Sequence, residues 1–162
     1  MSLLMPHRIY NRITEITPQE LHADKVTLLL VDVDNTLSVH GGQVPLEGLH
    51  QWLELMKNSG IKIMILSNAM KSRVKPFADA LGVTYIYLGL KPLPFGYFRA
   101  MRKSREKRQN TAIVGDQLFT DILGGRLCGI KSYLVKPILP ETGQSFIIRR
   151  KLENRILKNR NK

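Results

Sequence analysis

The apolar run Val26-Thr27-Leu28-Leu29-Leu30-Val31 empties directly into Asp32-Val33-Asp34-Asn35-Thr36. A short aliphatic run of this kind reads as a strand covered on both faces, so two carboxylates sit at its carboxyl end. Four further strand-like runs, at 61–66, 85–88, 111–114 and 132–135, alternate with segments of helical periodicity. Between the first two runs, Leu49, Trp52, Leu53 and Met56 recur at helical spacing, and Gly60 follows where a helix would end. Val74, Phe77, Ala78 and Leu81 repeat the pattern before Gly82. This rhythm predicts an α/β fold, with a mainly parallel sheet of about five strands layered between helices. A chain of 162 residues suits one domain with a proper core and is short for two, so a single domain over 1–162 is expected.

Side chains alternate along an extended chain, so Asp32 and Asp34 can face one site and share a cation that neither would hold well alone. With Mg2+ there, one carboxylate can act as nucleophile while the other gives and takes protons. The plain alternative is a pair of turn or cap aspartates satisfying free backbone N–H groups. Ser67-Asn68 just beyond the second run, Lys91-Pro92 shortly after the third and Asp116 after the fourth favour the functional reading. Ligands of open parallel sheets bind beyond the carboxyl ends of the strands, where these residues would converge.

Asp32-Val33-Asp34-Asn35-Thr36 resembles the first motif, DxDxT, of the haloacid dehalogenase-like (HAD) phosphatases, and the later motifs occur in the family's order. Ser67-Asn68 resembles the second, Lys91-Pro92 the third, and Gly115-Asp116-Gln117-Leu118-Phe119-Thr120-Asp121 the fourth. Length and the wording of the fourth motif are most similar to the small bacterial YqeG-type branch, subclass IIIA, related to a mitochondrial phosphatidylglycerophosphate phosphatase. The resemblance implies a HAD-like Rossmannoid fold and phosphomonoester hydrolysis through an aspartyl-phosphate. It casts Asp32 as nucleophile and Asp34 as acid and base. It implies Mg2+ held by the Asp32 carboxylate, the Asp34 carbonyl and Asp116, and phosphate held by Ser67, Asn68 and Lys91. Thr36 is expected to hydrogen-bond near Asp34 and orient the loop. Asp121 either supports the metal loop or caps a helix. Neither of the family's cap insertions has room here, so an open mouth and bulky substrates are expected: a protein, a nucleic-acid end or a lipid headgroup.

Charge is localised. Residues 99–108 carry +5 and residues 149–162 carry +6, together +11 of the net +12. Such segments suit a polyanionic surface, either RNA or an anionic membrane. Residues 145–162 form a basic C-terminal helix or tail, in which Phe146, Ile148, Leu152 and Ile156 follow a roughly amphipathic pattern. This suits a lipid interface or a final helix docked on the domain. The competing non-enzyme reading is an RNA- or ribosome-associated module on the same scaffold. The chain has no apolar run of the roughly 20 residues that a membrane helix needs. Its single cysteine, Cys128, lies in an apolar stretch and reads as core. A cytoplasmic protein, free or peripheral to a membrane, is expected. His7, His22, His40 and His50 are scattered and read as surface residues.

Overall fold

The computed structural model describes residues 3–158. Six strands form one sheet: β1 (Arg8–Tyr10), β2 (Leu28–Val31), β3 (Lys62–Leu66), β4 (Thr84–Ile86), β5 (Thr111–Gly115) and β6 (Lys131–Val135). Their order is β1-β6-β5-β2-β3-β4, and every pairing is parallel. The helices are α1 (Pro18–Ala23), α2 (Leu49–Asn58), α3 (Lys71–Leu81), α4 (Phe95–Ser104), α5 (Leu123–Leu127) and α6 (Gln144–Lys158).

Alternation along the strands builds two cores. Leu29, Val31, Ile65, Ala112, Val114 and Tyr133 face α1, α2 and α3, where Trp52, Met56, Val74 and Phe77 are buried. Leu28, Leu30, Met64, Leu66 and Ile113 face α4 and α5, meeting Tyr97, Ala100 and Met101. The result is a three-layer α/β/α sandwich. Trp52 is core, its indole N–H donating to the Ile16 carbonyl at 2.8 Å. Cys128 is buried in the second core, and the four histidines lie at the surface.

Two elements differ from the sequence expectation. The sixth strand, β1, spans three residues at the sheet edge beside β6, too short for an alternating pattern to register. The run at 85–88 leaves the sheet at Ile86. Beyond it Leu88 N–H bonds the Ala69 carbonyl and Gly89 N–H the Ser67 carbonyl, joining two loops in place of a strand ladder. Between β2 and β3 there is one loop and α2, so no cap domain is present among the described residues.

The basic C-terminal segment forms α6, and residues 159–162 lie outside the described residues. Its inward face is largely polar. Glu153 is buried and Arg150 half-buried, while Ile147, Ile148 and Leu152 are exposed. Ile156 and Leu157 seal the distal half against Leu118, Ile122 and Leu134.

Candidate active site

β2, the strand between β3 and β5, delivers Asp32, whose N–H extends the ladder to the Val114 carbonyl at 3.0 Å. β5 ends at Gly115 and delivers Asp116 as the next residue. A π-helical turn, Leu118–Ile122, then folds Asp121 back over Gly115. A Cβ on Gly115 would stand 2.2 Å from the Asp121 carboxyl, so only glycine leaves room there. One carboxylate oxygen from each of Asp32, Asp116 and Asp121 lies within 4.8 Å of the others, and all three residues are buried.

Lys91 reaches this cluster from the loop after β4. Its ammonium lies 2.7 Å from Asp32 Oδ1 and 2.6 Å from Asp121 Oδ1. Two of its three N–H groups are thereby committed and one is left over. Burial opposes the charge on Lys91, but Asp121 and Asp32 outweigh it and hold the pKa above the ordinary range. Burial pushes the Asp32 carboxyl up to about 6, opposed by Lys91 and reinforced by Asp121. Asp116 is raised too, by burial and then by Asp32 and Asp121.

The carboxylates therefore fit a hard cation. Asp116 Oδ1 is buried without a hydrogen-bond partner among the described residues, an acceptor of the kind a metal satisfies. The donors are all oxygen, which suits Mg2+. Asp32 and Asp116 are the residues best placed to hold it. Asp121 is already engaged, through Oδ1 with Lys91 and through Oδ2 with the Gln117 N–H at 3.2 Å. It lies within the cluster, beside Asp32 and Asp116.

The Asp34 carboxylate is not part of the cluster. It accepts from Arg73 Nη2 at 2.9 Å and from the Gly41 N–H at 2.8 Å. Ser67 is buried at the end of β3, its Oγ accepting from the Ala69 N–H at 3.1 Å. Asn68 clamps the Lys91 main chain at both ends, Oδ1 accepting at 2.7 Å and Nδ2 donating at 3.0 Å. Thr36 corrects the expectation. Its buried hydroxyl makes no hydrogen bond among the described residues. The loop is instead turned by its main chain, with the N–H groups of Thr36, Leu37 and Ser38 converging on the Val33 carbonyl.

Two arginines complete the site without a signal in the sequence. Arg73 holds Asp34 from α3. Arg150 of α6 donates to the Asp116 carboxylate and its main-chain carbonyl, and pairs with Glu153 at 2.9 Å. Glu153 in turn accepts from the Leu118 N–H at 2.9 Å. The helix is thus bolted to the loop that carries Asp116. A cleft of about 310 Å³ beside the Asp34 loop is lined by Asn35, His40, Glu141 and Phe146. A larger one, about 650 Å³, lies at the opposite ends of β3 and β4, among Leu53, Lys57, Ile61 and Leu81, away from the carboxylates.

Buried carboxylates around a lysine, at the carboxyl ends of parallel strands, define a HAD-type hydrolase site. A family profile described as haloacid dehalogenase-like hydrolase matches residues 4–129. The chain is also 37% identical over 153 residues to "Probable phosphatase YqeG" of Bacillus subtilis (strain 168), covering 94% of this chain and 89% of that one. The chain belongs to the haloacid dehalogenase-like hydrolases. Solved structures share the fold. The cobalt-bound deoxy-D-mannose-octulosonate 8-phosphate phosphatase of Haemophilus influenzae aligns with a TM-score of 0.56 at 16% identity, over 83% of this chain and 89% of that one. A haloacid dehalogenase-like hydrolase of Brucella suis 1330 aligns with a TM-score of 0.59 at 11% identity, over 77% and 88%.

Proposed function

We propose that the protein is a Mg2+-dependent phosphomonoesterase working through an aspartyl-phosphate on Asp32. The observation that carries this reading is the buried cluster of Asp32, Asp116 and Asp121 around Lys91. Asp32 attacks phosphorus, and the ester P–O bond breaks as the leaving oxygen takes a proton from Asp34. Asp34 then accepts a proton from water as that water attacks the phosphoryl group, releasing phosphate and restoring Asp32. The third N–H of Lys91, the Ser67 hydroxyl and the Asn68 main-chain N–H hold the phosphate oxygens. Asp32, Asp116 and the Asp34 carbonyl would hold Mg2+, which would supply positive charge against the approaching anions.

The open mouth favours a bulky substrate. The resemblance to the YqeG-type branch, which is related to a mitochondrial phosphatidylglycerophosphate phosphatase, together with the localised basic charge supports a phospholipid headgroup such as phosphatidylglycerophosphate, met at the membrane surface by a protein of the cytoplasm. No helix among the described residues is long and apolar enough to cross a membrane. The test is hydrolysis of p-nitrophenyl phosphate beside phosphatidylglycerophosphate in mixed micelles, with and without EDTA. The reading predicts turnover abolished by chelation and restored by Mg2+, with preference for the lipid. Turnover that survives exhaustive chelation would refute the metal-dependent chemistry.

A further inference from the structure

Beside the mouth of the site, Met70, Leu90, Leu93, Phe95 and Phe98 are each more than half exposed. They belong to one surface. Leu88 N–H bonds the Ala69 carbonyl and joins the loops after β3 and β4. Leu93 N–H closes a turn on the Leu90 carbonyl. The start of α4 packs so closely on Gly89 that a Cβ on Gly96 would stand 2.3 Å from the Gly89 carbonyl oxygen. Phe95 and Phe98, three apart, share a face of α4. Leu88 and Leu90 have φ of 45° and 56°, in the left-handed region that leucine rarely adopts. The loop that positions Lys91 therefore holds its leucines outward in an uncommon backbone conformation.

Charge is arranged behind this rim. Along α4 the exposed side chains change from Phe95 and Phe98 to Arg99, Arg102 and Lys103. At the rise of a helix, Phe95 and Arg102 are separated by about 10 Å. With α4 steep to a bilayer, this spacing would set the phenylalanines within the roughly 5–10 Å to which interfacial segments insert and leave Arg102 at the headgroups.

We infer that this rim seats the mouth of the site on an anionic phospholipid bilayer. The basic flank complements an anionic surface, whereas a second copy packed on the same face would bring Arg99 and Arg102 of both chains together in a molecule already at +12. RNA is disfavoured because three of the five rim residues, Met70, Leu90 and Leu93, offer no ring on which a base could stack, leaving only Phe95 and Phe98. A substrate phosphate carried at the bilayer surface would then meet Lys91 from the loop that inserts. This placement rests on the phosphatase reading, but docking itself is measurable without turnover.

The test is co-sedimentation of the full chain with phosphatidylglycerol-containing vesicles and with pure phosphatidylcholine vesicles at low salt. The wild type, Leu93→Ser/Phe95→Ser/Phe98→Ser and Arg99→Gln/Arg102→Gln are compared. Circular dichroism and p-nitrophenyl phosphate turnover report the fold and the site. The wild type is expected to sediment with the anionic vesicles alone and to be released by salt. Each variant should partition at least about tenfold less while keeping its spectrum and turnover. A wild type that stays in the supernatant, or variants that sediment equally, would overturn the inference. So would a wild-type dimer that the serine variant splits, without vesicle binding. If binding behaves as expected but no protein hydrolyses the soluble ester, the docking surface stands and the phosphatase reading falls.

Discussion

The ammonium of Lys91 lies 2.7 Å from Asp32 and is itself almost wholly buried. Its charge answers two carboxylates at once, since Asp121 is 2.6 Å away on the other side. Lys91→Met would leave both without a cation. Removing one partner of a buried ion pair costs about 3–5 kcal/mol. Urea unfolding should show a loss of that order, partly recovered in Lys91→Met/Asp121→Asn. An unchanged midpoint in the single variant would show that Lys91 does not hold the cluster together.

Gly115 is a steric requirement of the same cluster. Gly115→Ala forces its methyl into the Asp121 carboxyl, so Asp121 must leave Lys91 or β5 must shift. Overpacking of this kind costs about 1–3 kcal/mol. Thermal melting and turnover should both fall, and a crystal structure should show Asp121 displaced. A variant with full stability and activity would contradict the packing described.

The pH dependence of stability has a definite sign. The folded-state pKa of Asp32, about 6, lies above that of an unfolded aspartate, near 3.8. Its contribution to stability is therefore complete below the unfolded value and is lost as pH rises from there through about 6. A divalent cation stabilises the ionised form, so Mg2+ should raise Tm more at about pH 7.5 than at about pH 5. Differential scanning fluorimetry across that range checks it. An equal gain at both values would remove Asp32 from the metal site.

Arg150 and Lys91 are two cations set against three clustered carboxylates. Arg150→Gln makes the site one charge more negative, so isothermal titration should show tighter Mn2+ binding while KM for a phosphomonoester rises. Arg150→Lys should fall between. If both constants stay at their wild-type values, Arg150 only anchors α6.

Much of this site was legible along the chain, because Asp32, Ser67 and Asp116 each lie directly or one residue beyond a strand-like run and parallel strands bring their carboxyl ends together. What was not legible depends on side chains that meet only after folding. Arg73 pairs with Asp34 across 39 residues and Arg150 with Asp116 across 34, and nothing local separates either from the other basic residues. The inward face of α6 was also hidden. Apolar spacing points Ile148 and Leu152 at the core, but Arg150 and Glu153 find buried partners on the Asp116 loop and turn the helix about. The sheet was read one strand short because β1 has too few residues to show a period.

The central claim is that the Asp32 carboxylate accepts the phosphoryl group. The most direct measurement is acid quenching of the Mg2+-loaded enzyme during turnover of a 32P-labelled phosphomonoester, followed by peptide mapping. Label should appear on the peptide containing Asp32 in the wild type and be absent in Asp32→Asn, whose turnover should fall by several orders of magnitude with its circular dichroism unchanged. Label at another residue, or full turnover by Asp32→Asn, would contradict the account.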